Sequence, residues 1–440
     1  MLKDNKLLFG FILAGTVSVI PAWADEVYGS LYDAIHDEIN QTRTYSLQAD
    51  ETIEADLGEL AGENADLTIN GNSNYSIVGN GKSGITVGSG KTLNINNVGS
   101  LNSDGTVNAA WKDFKETVFN INGGTLNFTG NNVISGNSST NQSVSMIVVD
   151  NGGKIDLSQG ATLNLFNNEY KMPLLLNQYG TVSDLNLAIK NNTMTGKPEQ
   201  YGIIDNHSTS GHAVSMGKIA GVISNNIINV GGNNIRGGVI HNYSESSAIM
   251  GDITAELSYN EINANNGIYG GIIRNIAENG EATLGNVTGS IHHNTLTTDG
   301  IVYGMLYSNK ATGKTATVGN LSGDIEYNTV IATGSSNEST GLISNEGNQA
   351  DGGGTAQFGN ISSNFTHNTI TAVGRELRGG LIYNSAKSHY AYMGDITGNM
   401  TDNTFTVKAF KGGLIANISE NVANSDATMG IISSNTAEII

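Results

Sequence analysis

Apolar and polar residues in this chain repeat in columns set by a long period. The beat is a glycine after Met, Leu, Val or Phe: Gly217, Gly251, Gly285, Gly319, Gly359, Gly394 and Gly430, at spacings of 34, 34, 34, 40, 35 and 36 residues. An earlier unit has Ser183 in the glycine's place. Two positions on, the residue is apolar: Leu185, Ile219, Ile253, Val287, Leu321, Ile361 and Ile396. Six positions on it is apolar again, as in Ile223, Leu257, Ile291, Ile325 and Phe365. These even offsets predict a strand with one face inside. Nine positions on it is always asparagine: Asn192, Asn226, Asn260, Asn294, Asn328, Asn368 and Asn403. The asparagine breaks the alternation and predicts a corner, after which Met194, Ile228, Ile262, Leu296, Val330, Ile370 and Phe405 restore an apolar position.

The second half of each unit also recurs, as GGVIHN (237–242), GGIIRN (270–275), GGLIYN (379–384) and GGLIAN (412–417). Two apolar residues with a trailing Asn read as a short strand ending in another corner. The Gly-Gly before them permits a sharp bend. Insertions such as GSSNEST (334–340) fall between the motifs and map to loops on one side. A fixed period of this size signals a solenoid, propeller or array. The irregular period does not suit propeller blades, and the Gly-, Asn- and Thr-rich units lack the pattern of helical repeats. The pattern predicts an all-β fold, a right-handed parallel β-helix solenoid. Each unit is then one coil, with coils about 4.8 Å apart and like residues stacked on like.

Residues 49–170 read as less regular coils, alternating strand and turn. In GSLYDAIHDEINQ (29–41), Leu31, Ile35 and Ile39 recur four apart behind Ser30 as N-cap, which predicts a short amphipathic helix capping the open end of the core. Ahead of it, Lys3 and Lys6, an apolar run from Leu7 to Ile20 and the Ala22-Trp23-Ala24 site read as a secretory signal peptide cut after Ala24. The organisation expected is a signal peptide over 1–24, an N-terminal cap segment over 25–48 and a β-helix over 49–440, with regular repeats from about 183. The terminal MGIISSNTAEII (429–440) opens a further unit, so the chain is expected to be a fragment, a truncated gene product or a protein that continues elsewhere.

Composition narrows the function classes. Without residues 1–24 the chain keeps 19 basic and 39 acidic residues, a formal charge of −20, which argues against nucleic acid as a partner. There is no cysteine, so an exported fold would stand without disulfides. Three prolines suit a chain held mostly in hydrogen-bonded ladders.

The most enzyme-like string is SGHAVSMGK, Ser210–Lys218, with His212 at its centre. It looks like the Ser-Gly-His-Gly-x-Ser segment of polygalacturonases. That resemblance implies further Asn-Thr-Asp, Asp-Asp and Arg-x-Lys motifs, which the sequence lacks, and Ala213 stands where the second glycine belongs. His292 and His293 share a variable outward region and read as surface histidines. GNQADGGG (347–354) lacks the acidic register of an ion-binding loop. No catalytic, cofactor-binding or metal-binding residue is therefore expected.

Taken together, the signal peptide, the absence of Cys and the two-part unit resemble bacterial autotransporter passenger domains. FTHN (365–368) with GGLI (379–382), and IHHN (291–294) with YGML (303–306), are similar to the paired motifs of chlamydial polymorphic membrane proteins. The likeness covers about 180–436 in motif and 49–180 in style. It implies a surface-exposed or secreted, non-enzymatic passenger, an adhesin or scaffold whose partner is a host-cell or matrix protein or a glycan. It also implies a location at the cell surface, the outer membrane or outside the cell. Membrane association would come only through a translocating barrel, whose alternating strands this chain does not contain. The alternative is a secreted polysaccharide lyase or glycoside hydrolase on a similar helix.

Overall fold

The computed structural model describes residues 28–38, 42–196, 201–230, 234–334, 338–348, 354–387, 389–420, 425–433 and 437–439. The expected signal peptide lies outside them. Long parallel sheets run the length of the molecule: a first of 13 strands, a composite second of 21 and a third of 12. One coil illustrates the path. Ala213–Met216 lies in the first sheet; Ile219–Ser224 and, past a corner, Ile227–Val230 lie in the second. Asn234–Ile235 then joins a narrow three-stranded sheet, and Ile240–Ser244 enters the third. The next coil begins with Ser247–Met250, and Met216 pairs with Met250, so one sequence repeat is one turn of a parallel β-helix.

The columns explain the stack. Ile219, Ile253, Val287, Leu321, Ile361 and Ile396 bridge one to the next up the rod, all fully buried. Each such side chain taken out of water stabilises the fold by about 1.5–3 kcal/mol. One apolar cluster continues from Leu31 to Met400. At the corner, Asn294 Nδ2 donates to Asn328 Oδ1 at 3.0 Å and to the Leu257 carbonyl at 2.9 Å. Its own Oδ1 accepts from the Asn260 backbone N–H and from Asn260 Nδ2, both at 3.0 Å. Every polar atom of a fully buried amide is thereby satisfied, which is what makes a buried Asn tolerable. The ladder extends below the repeat read from sequence, through Asn168 to Asn137. A second ladder joins Asn177, Asn206, Asn242, Asn275, Asn309, Asn345, Asn384 and Asn417.

The residue before each corner Asn of the first ladder is left-handed. Asn225, Tyr259, His293, Tyr327, His367 and Asp402 all have φ between 53 and 58°. Tyr259, His293, Tyr327 and His367 consequently stack ring on ring along the outside, at 4.8, 5.0 and 4.7 Å.

The N-terminal helix spans Leu31–His36, with Ser30 Oγ accepting from the Asp33 N–H at 3.1 Å. Leu31 and Ile35 are fully buried and join the core cluster, so the helix covers the end of the first coil. Ile39 lies outside the described residues. The first rung, Thr42–Ser46, already pairs with Asp66–Asn70, inside the segment read as a cap. Coils are shorter here: Thr42 sits beside Asp66 and Asp66 beside Thr92, whereas Ala213 sits beside Ser247. The narrow fourth sheet appears only in the longer coils.

Candidate functional site

The longer coils build a groove. Between the narrow sheet and the third sheet the chain turns through Gly238, Gly270, Gly304 and Gly379, with φ of 66, 72, 56 and 58°. A Cβ on Gly238 would lie 2.4 Å from the Gly270 carbonyl oxygen, so backbones of adjacent coils close tightly at this bend. Alternation in the third sheet places Ile204, Asn206 and Ser208 inward and Asp205 and His207 outward. Outward side chains of a solenoid ordinarily meet water. Here the bend covers them, and Asp205, His241 and His207 retain only 0, 1 and 8% of their surface exposed.

Strand register brings these three together. Asp205 pairs with His241 in the next coil, and His207 follows Asp205 two residues along the same strand. Asp205 Oδ2 lies 2.9 Å from His241 Nδ1 and accepts the Gly202 N–H at 2.7 Å. Asp205 Oδ1 lies 3.3 Å from His207 Nδ1, yet neither atom has a hydrogen-bond partner. The His207 ring stacks on Tyr243 at 4.3 Å. In the coil above, Arg274 pairs with His241 and donates from Nη1 to the Arg236 carbonyl. Tyr243 Oη bonds Glu278 and, at 3.1 Å, Glu245. His207, His241, Tyr243, Arg274, Glu245 and Glu278 line a cavity of about 350 Å³.

Burial would raise the Asp205 pKa, but the His241 and His207 imidazoles hold it down at about 2. Burial drives His241 below the ordinary histidine range, against the pull of Asp205. An ionised Asp205 accepting Nδ1–H from a neutral His241 satisfies both tendencies, and leaves His241 Nε2 buried without a partner. Burial also lowers Arg274 to about 10. Such a site, with both signs of charge and mostly polar walls, suits a metal ion or a small polar ligand better than a hydrophobic one.

The column of register partners continues up the rod. The outward column after His207 runs Tyr243, Ile276, Lys310, Glu346 and Ser385. Burial lowers the Lys310 pKa while Glu346 opposes the shift, and Arg378 pairs with Glu420 at 2.7 Å.

The residues singled out from sequence lie elsewhere. His212 sits in an exposed turn with its ring 4.2 Å from Tyr179. His292 pairs with Glu256 at 3.2 Å on the surface, and His293 belongs to the stacked outer column. Residues 349–353 of the Gly-rich loop lie outside the described residues. Among the described residues, Asp205, His207 and His241 form a cluster of potential metal ligands that the sequence reading did not single out. The signal was present: aligning YGIIDNHS (201–208) on GGVIHNYS (237–244) sets Asp205 under His241. Treating alternate strand positions as solvent-facing hid it.

Compared with family models, curated proteins and solved structures, the chain matches none.

Proposed function

We propose that the protein is an exported, surface-exposed β-helical passenger, an adhesin or scaffold that presents a lateral binding face on a stiff rod. The observation that carries this reading is the charged column beside the third sheet, which runs through successive coils from the cavity at Arg274 to Lys310 and Glu346. Thirteen rungs of the first sheet at about 4.8 Å apart give a rod roughly 60 Å long. Stacked repeats of this kind bind along extended lateral surfaces. A cavity lined by Arg274 and Glu278, with Lys310 in the coil above, matches the polar and charged groups of a glycan or of a host-cell or matrix protein. The acidic balance of the chain makes nucleic acid a poor partner.

The test is binding of the purified chain to immobilised matrix proteins, to host cells and to a panel of glycans. Saturable binding that weakens at least about tenfold in Lys310→Glu, with no change in the ligand's length, supports the reading. Depolymerisation of an acidic glycan, lost in His212→Ala, contradicts it in favour of a polysaccharide-degrading enzyme.

A further inference from the structure

We propose that Asp205, His207 and His241 form a site for one divalent transition-metal ion of the zinc class. Two imidazoles and a carboxylate are the donor set such an ion takes, whereas calcium and magnesium call for oxygen alone. The three potential ligand atoms all lie within 4.8 Å of one another. Carboxylate oxygens stand 2.9 and 3.3 Å from the two Nδ1 atoms. Ligands around a tetrahedral ion with bonds of about 2.0–2.1 Å are roughly 3.3 Å apart; the two separations run to different oxygens of Asp205, so an ion would gather one carboxylate oxygen and both imidazoles by rotation of the side chains.

A second observation points the same way. Asp205 Oδ1 and His207 Nδ1 face each other in the interior without a hydrogen bond. Two buried polar atoms left so close and unbonded are costly, and a shared cation removes the cost at both. The scaffold is stiff where it needs to be. Asp205 and His241 are held in register by the sheet, and the Gly202 N–H fixes the carboxylate from behind at 2.7 Å, the kind of outer-shell contact that orients metal ligands. Three protein ligands leave a coordination position toward the cavity, where Arg274 and Tyr243 would meet an anionic or hydroxyl-bearing group bound to the ion.

The experiment uses the full chain stripped with a chelator, titrated with zinc chloride by calorimetry and with cobalt chloride by visible absorption. One equivalent of zinc is expected, with the intense visible bands of four-coordinate cobalt. Asp205→Asn and His207→Ala should each weaken zinc by at least about 10–100-fold, the loss known even for outer-shell partners, while His212→Ala leaves it unchanged. Circular dichroism of the stripped variants establishes that the β-helix is intact. Absence of saturable binding to the wild-type chain, six-coordinate cobalt only, or unchanged affinity in a folded His207→Ala would each overturn the proposal.

Discussion

A single asparagine shows how this fold is specified. Asn294 is fully buried, donates to one coil's backbone and the next coil's amide, and accepts from the coil below. Asn294→Ala takes the acceptor from the Asn260 N–H and a donor from the Leu257 carbonyl, while Asn328 Oδ1 keeps the residue 294 backbone N–H. At about 1–3 kcal/mol for each orphaned group, partly relieved by water, the loss should be about 3 kcal/mol, read as a lower urea midpoint with faster amide exchange at the flanking rungs. Asp205 makes the matching electrostatic case. Its carboxyl is held at about 2, below the ordinary carboxylate value, so its stabilisation is complete above about pH 4 and is lost as pH falls toward 2. In metal-free protein the stability gap between wild type and Asp205→Asn should therefore close as pH falls from about 4 toward 2. A gap that persists unchanged down to about pH 2 would show that the imidazoles do not hold the ionised carboxylate.

At the scale of the element, the corners carry the design. The Asn corners were legible because the amide and its apolar neighbours keep one spacing from Asn192 to Asn294. Asn137 and Asn168 belong to the same ladder but escaped notice, since the shorter coils below shift their spacing. The left-handed column was not legible either. Tyr259 and Tyr327 are residue types that disfavour positive φ, and only the stacked geometry reveals that the corner demands it. The Gly-Gly bend was read as a bend, but its consequence, the covering of Asp205 and His241, depends on how neighbouring coils meet. Gly238→Ala tests this element. A left-handed Cβ placed 2.4 Å from the Gly270 oxygen should destabilise by at least about 2 kcal/mol and speed amide exchange in Ile240–Ser244, leaving the first sheet protected.

For the molecule as a whole, repetition made the architecture readable while concealing the site. A solenoid is held by nearest-neighbour contacts between coils, so a column read along the sequence is nearly a contact map. Sites arise where coils depart from the repeat, and Asp205, His241 and Arg274 occupy one column with three different chemistries. The core needs no disulfide because the apolar stack and two amide ladders run through successive coils. The absence of cysteine also permits a direct test of the stacking itself. Ile249 and Thr283 are exposed, face the same side of the first sheet and are partners in adjacent coils, while Thr317 lies one coil further on. Adjacent rungs about 4.8 Å apart fall within disulfide range, and rungs twice as far apart do not. Mild oxidation of Ile249→Cys/Thr283→Cys should close a disulfide across 34 residues with no loss of β structure, and Ile249→Cys/Thr317→Cys should stay reduced. Failure of the first pair to close, or equal closure of the second, would contradict a stack of one repeat per coil.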